Sequence, residues 1–149
     1  MHRRNILTAA FGALGGMFGA SRAHAASEHH GDAKLKIVYH LDEIEKVPFV
    51  LGNIQNHYDG VGGPDNVTIA LVVHGPALQA FQSSAAGPDV GRHVEQFSMI
   101  GLELAACGNT MKAQNIHLTD LLPGFVEAAK GGVVRIAELQ SEGYLYLRP

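Results

Sequence analysis

Two stretches, "LKIVYHL" (35–41) and "NVTIALVVHG" (66–75), constrain the fold of this chain more than any other feature. Both are dense in β-branched residues and bounded by turn formers, and neither alternates cleanly between apolar and polar. A strand with apolar residues on both faces has to be buried on both, which requires a sheet with layers above and below it. Between the two runs Ile44, Val47, Leu51, Ile54 and Tyr58 recur at helical spacing, and "DGVGGPDN" ends that helix with glycines and a proline. Strand, helix, strand is the crossover that parallel strands need. The alternation continues. A polar loop "QSSAAGPDVGR" leads to a predicted helix over His93–Ile100. "LELAA" reads as a third strand ending at Cys107, followed by a short helix over "GNTMKAQ" and a loop at "HLTDLLPG". A weak strand "FVEAA", a helix over Gly132–Glu142 stopped by Gly143, and a short strand "YLYL" complete the chain. The expectation is an α/β domain with a mainly parallel sheet of about five strands and helices on both faces.

The first 25 residues read differently. "MHRRNILTAAFGALGGMFGASRAHA" has a basic start at Arg3 and Arg4, a short glycine-rich apolar stretch, and the small-residue site Ala23-His24-Ala25. This is the pattern of a secretory signal, and the adjacent arginines make it a twin-arginine type. An ordinary signal with two chance arginines and an uncleaved anchor are the competing readings. Cleavage leaves a periplasmic chain starting near Ala26, with no membrane attachment. Residues 26–33, with His29 and His30, form a polar tail, and 34–149 form one domain. The lost segment takes Arg3, Arg4 and Arg22 and no acid, so the net charge moves from −3 to about −6. Without a basic cluster to meet phosphates, nucleic acid is not expected as a partner. One cysteine cannot close an internal disulfide, so Cys107 is buried and inert, reactive, a metal ligand, or joined to another chain.

In open α/β sheets ligands bind beyond the carboxyl ends of the strands. His40, His74 and Cys107 all fall at such ends, 34 and 33 residues apart. Cys107 also precedes a helix, whose free N–H groups favour a thiolate, the species that attacks sulfur or binds metal. Gly108 leaves room for an approaching group, and Asn109 and Thr110 offer donors to a charged sulfur. The competing reading is a cysteine packed as a small hydrophobe. His40 and His74 could tune the thiol, shuttle its proton, or join it on a metal. His57, His93 and His117 have no evident partner, and Asn53 and Asn56 read as surface polar residues of the first helix. The chain lacks G-x-x-x-x-G-K-[ST], G-x-S-x-G and C-x-x-C, and "GVGG" precedes a strand instead of opening a helix.

"KIVYHLDE", "VVHGPAL", "ACGNTM" and the ending "AELQSEGYLYLRP" resemble the DsrE/DsrF-like proteins, in particular small exported members with a twin-arginine signal. The resemblance covers essentially the whole chain after Ala25. It implies a three-layer α/β/α domain that assembles as a homo-oligomer, trimer or hexamer. It also implies a cysteine, here Cys107, that accepts persulfide sulfur from a donor protein and passes it to an acceptor. Three function classes follow. The first is a sulfurtransferase-like carrier of sulfane sulfur on Cys107, tuned by His40 and His74, with no cofactor. The second is a zinc or copper protein using His40, His74 and Cys107. The third is a non-catalytic oligomer that binds a small ligand on the same rim.

Overall fold

The computed structural model describes residues 34–149. The expected signal segment 1–25 and the expected polar tail 26–33 lie outside the described residues. The element order is β1 (Leu35–Leu41), α1 (Val47–Gly60), β2 (Val67–Val73), α2 (Pro88–Met99), β3 (Glu103–Cys107), α3 (Gly108–Gln114), β4 (Phe125–Ala128), α4 (Gly132–Ser141) and β5 (Leu145–Leu147). The five strands form one sheet in the order β4-β3-β2-β1-β5, and every pairing is parallel. No helix among the described residues is long and apolar enough to cross a membrane.

Strand order decides which face each helix covers. The first three crossovers step in one direction, from β1 to β2 to β3 to β4, and right-handed connections put their helices on the same face. The connection from β4 to β5 runs back across the whole sheet to the far side of β1, so α4 lands on the opposite face. The buried side chains divide accordingly. Ile37, Tyr39 and Leu41 of β1 pack with Val50, Leu51 and Ile54 of α1 and Phe97 of α2. Val38, Ala70, Val72 and Ala105 pack with Ile136 and Leu139 of α4. Alternate residues of one strand thus belong to two cores, the period-2 consequence of a sheet covered on both sides. The domain is a three-layer α/β/α sandwich, as the apolar runs require.

The element ends differ from the sequence expectation in ways that local chemistry explains. Helix α2 starts at Pro88, not His93, because Gly87 is extended and Pro88 presets the first helical φ, with Asp89 favourable in the first turn. Ile44 sits in a 3-10 turn ahead of α1, exposed, and the helix proper begins at Val47 beside Pro48. "GPALQAF" forms a seven-residue 3-10 segment, Gly75–Phe81, which buries Ala77, Leu78 and Phe81. Gly143 takes φ +92° where α4 stops.

Candidate functional site

The helices change face between β3 and β4: the chain leaves β3 into α3 on one side and β4 into α4 on the other. Such a switch opens a crevice at the carboxyl edge of the two strands, the position where open α/β sheets hold ligands. Cys107, the last residue of β3, is at that point, paired in register with Ala128 of β4.

Register puts the three candidate side chains on one face. Val72 of β2 pairs with His40 of β1 and with Ala105 of β3. His74 lies two residues beyond Val72 and Cys107 two beyond Ala105, so His40, His74 and Cys107 all project to the α4 side. His40 is the penultimate residue of β1, and His74 follows β2, its N–H donating to the Leu41 carbonyl at 3.0 Å.

Cys107 is buried, 6% exposed, and is the N-cap residue of α3. Burial pushes its thiol pKa up. The Thr110 hydroxyl and N–H and the N–H groups of Gly132 and Asn109 outweigh that, leaving the thiol below the ordinary cysteine range. No side-chain capping hydrogen bond forms at the sulfur, so the effect is the sum of several donors. They come from the starts of two helices, α3 and α4, one from each layer. The Thr110 hydroxyl is held in turn by the Gly75 N–H, which donates to its oxygen at 3.0 Å. Gly75 adopts φ +57°, and its carbonyl accepts from Gln114 Nε2 at 3.0 Å. The turn after β2 therefore fixes the residue that faces the sulfur.

Two glycines make this approach possible. A Cβ on Gly132 would lie 3.2 Å from Cys107 Cβ, 3.3 Å from Val72 Cγ1 and 3.5 Å from His74 Cβ. The bare start of α4 is what lets the helix touch both the thiol residue and the histidine. A Cβ on Gly108 would lie 2.7 Å from Glu127 Oε1, 3.1 Å from the Ala128 carbonyl and 3.2 Å from Ala129 Cα. The space beside Gly108 is thus occupied by β4 and the residue after it, not left for a ligand. Asn109 is exposed, and its backbone N–H is among the groups that lower the thiol pKa.

The histidines form a separate group. His40 Nε2 faces His74 Nε2 directly, the rings 4.7 Å apart and 19° from parallel. His40 Nδ1 shares a 2.6 Å hydrogen bond with the Tyr146 hydroxyl. Burial lowers the His40 pKa, helped by the charge of His74 and opposed by Asp42. The donor atoms of His40, Asp42 and His74 lie within 4.8 Å of one another. Cys107 is not in that group, so the third ligand-type side chain beside the two imidazoles is Asp42. Arg148 Nη2 donates to both Asp42 carboxylate oxygens at 2.9 Å. Asp42, Tyr146 and Arg148 were not anticipated; the only hint in the sequence was the polar-aromatic character of "YLYLRP".

The other histidines among the described residues find local partners. His57 Nδ1 shares a 2.9 Å hydrogen bond with Tyr39, His93 Nδ1 is 2.8 Å from the Asp89 carbonyl, and the His117 N–H donates to Asp120. Asn53 and Asn56 line a concavity with His57 and Pro149, on the face away from the thiol. A larger concavity of about 520 Å³ runs beside the β4–α4 loop, lined by Val126, Lys130, Gly131 and Arg135, and Cys107 is not among its lining residues.

No protein-family model matches the chain, and no curated protein matches it. Solved structures do. A protein of unknown function, MTH1491 from Methanobacterium thermoautotrophicum, is 26% identical over 77% of this chain and 99% of its own, with a TM-score of 0.67. The ychN protein from E. coli is 15% identical over 77% of this chain and 99% of its own, with a TM-score of 0.55. BT1422, a conserved protein of unknown function from Bacteroides thetaiotaomicron, is 16% identical over 76% and 94%, also at 0.55. The chain is thus an α/β protein that shares its three-layer fold with these structures, and the likeness brings no activity with it.

Proposed function

We propose that the chain is a DsrE/F-like thiol protein of the periplasm that takes up sulfane sulfur on Cys107 as a persulfide and passes it on. The observation that carries this reading is the setting of Cys107 at the switch point of the sheet, as the N-cap residue of α3 and with Gly132, the first residue of α4, against it. A lowered thiol pKa at that edge raises the share of thiolate, the form that attacks a donor persulfide. In the step, the Cys107 thiolate bonds to the outer sulfur of R–S–SH and the donor S–S bond breaks. The electron pair leaves on R–S⁻, the proton stays with the transferred sulfur, and no outside oxidant is consumed. His74, against Gly132 beside Cys107, and His40 behind it are the groups available to exchange that proton with solvent.

Periplasmic residence rests on the sequence of residues 1–25. The homo-oligomer, trimer or hexamer, draws support from the α4 side of the sheet. There, among the described residues, a single ten-residue helix covers five strands, and Val126, Val133, Val134 and Tyr146 stay exposed.

The test is incubation of the chain from Ala26 with inorganic polysulfide, then alkylation and peptide mapping. The expected product is a persulfide on Cys107 that forms faster than on a free cysteine peptide and is abolished by Cys107→Ser. Modification no faster than that of the peptide, or only after denaturation, would sink the reading.

A further inference from the structure

We propose that His40, His74 and Asp42 form a binding site for a divalent transition metal of the zinc type, on the carboxyl edge of β1 and β2 and without Cys107. This stands on the histidine cluster alone and does not depend on sulfur transfer.

The primary observation is the direction of the imidazoles. Two Nε2 atoms on adjacent strands face each other within hydrogen-bond reach. A neutral pair can place only one proton between them, and a metal ion accepts a lone pair from each. A carboxylate joins them, since one donor atom from each of His40, Asp42 and His74 falls within 4.8 Å of the others. Tetrahedral zinc with bonds of about 2.0–2.1 Å holds its donor atoms roughly 3.3 Å apart. To reach that spacing the two Nε2 atoms part and the Asp42 oxygen closes in, and the side chains have room to turn because all three residues are only partly buried.

The groups behind these ligands match what metal sites use to orient their donors. A histidine that binds through Nε2 carries its proton on Nδ1 and donates it, here to the Tyr146 hydroxyl at 2.6 Å. The Asp42 carboxylate is held by Arg148 Nη2 at 2.9 Å from both oxygens. Both supporting residues come from β5 and the residue after it, so the return of the chain beside β1 builds the outer shell. Two imidazoles and one carboxylate suit zinc or its neighbours in the first transition row, and not calcium or magnesium, which prefer all-oxygen sites. Three protein ligands leave a fourth position for water or a substrate atom.

The test uses the chain from Ala26 with His29 and His30 replaced by Ala, so that tail imidazoles add no binding of their own. Zinc is titrated by calorimetry, and cobalt(II) by absorption. The proposal expects one zinc per chain, unchanged by Cys107→Ser. It expects at least a tenfold loss of affinity in His40→Ala and in His74→Ala, and a smaller loss in Asp42→Asn. Cobalt should give visible bands of a nitrogen and oxygen site with no thiolate charge-transfer band. Zinc affinity equal in the histidine variants and the parent would overturn the proposal, as would a thiolate-to-cobalt band or the absence of zinc binding by the folded parent. The parent's cobalt spectrum needs no variant, so the proposal stays falsifiable if an alanine variant fails to fold.

Discussion

Thr110 decides more about the Cys107 thiol than either imidazole does. Its hydroxyl and N–H come first among the groups that lower the thiol pKa, and His40 and His74 are not among the causes. Thr110→Val removes the hydroxyl at little change in volume. Its alkylation rate at neutral pH should fall several-fold, with the pH midpoint of the rate moved upward, while His40→Ala leaves that midpoint nearly in place. A rate–pH profile with a small alkylating reagent checks both. The sign of the linked stability follows from the same lowering. Between the folded and unfolded thiol pKa values the unfolded chain binds more protons, so stability rises with pH there. The gain is complete above the unfolded value and lost as pH falls through the folded one. Gly108 carries a different burden. Alanine there meets the backbone of Ala128 and Ala129, and the overpacking should cost about 1–3 kcal/mol in denaturant unfolding.

Helix α4 is the element on which the site depends, because among the described residues it alone covers its face of the sheet. It is held by Ile136 and Leu139, and by Arg135, whose Nε and Nη2 donate to the two Glu103 oxygens at 2.7 Å each. Leu139 is fully buried, so Leu139→Ala should destabilise the domain by roughly 2–5 kcal/mol in a urea titration. It should also loosen the contact of Gly132 with Cys107 and raise the thiol pKa, a coupling that a mutation in the other core, such as Ile54→Ala, should not show. The elements themselves were legible in the sequence, since continuous β-branched runs and 3.6-period stripes state where a chain is buried. What escaped was set by other rules. The 3-10 segment Gly75–Phe81 is too short to show a helical period, and Pro88 hides a helix start inside a polar loop. At the site, Cys107, His40 and His74 were visible as strand ends. Asp42 with Arg148 and His40 with Tyr146 were not, because each pair spans 106 residues and meets only when β5 returns beside β1. Gly108 was misread as an opening for a ligand, since a glycine in sequence does not say whether its space is vacant or filled.

At the scale of the whole molecule, one face of the sheet is thinly covered by the described residues, and Val133 is 70% exposed at the start of α4. If a second copy covers that face, Val133→Glu should shift the assembly toward monomer in light scattering, with little change in the fold. A monomeric parent in reducing buffer contradicts this. The sulfur-carrying role is tested most directly by native mass spectrometry of the protein isolated from its own cells. The account predicts chains that begin near Ala26, assembled in threes or sixes. A fraction should carry one extra sulfur, about 32 Da, as a reversible cap on Cys107 that reductant removes and Cys107→Ser abolishes. A free, unmodified Cys107 in every preparation, unchanged after exposure to polysulfide, would contradict it.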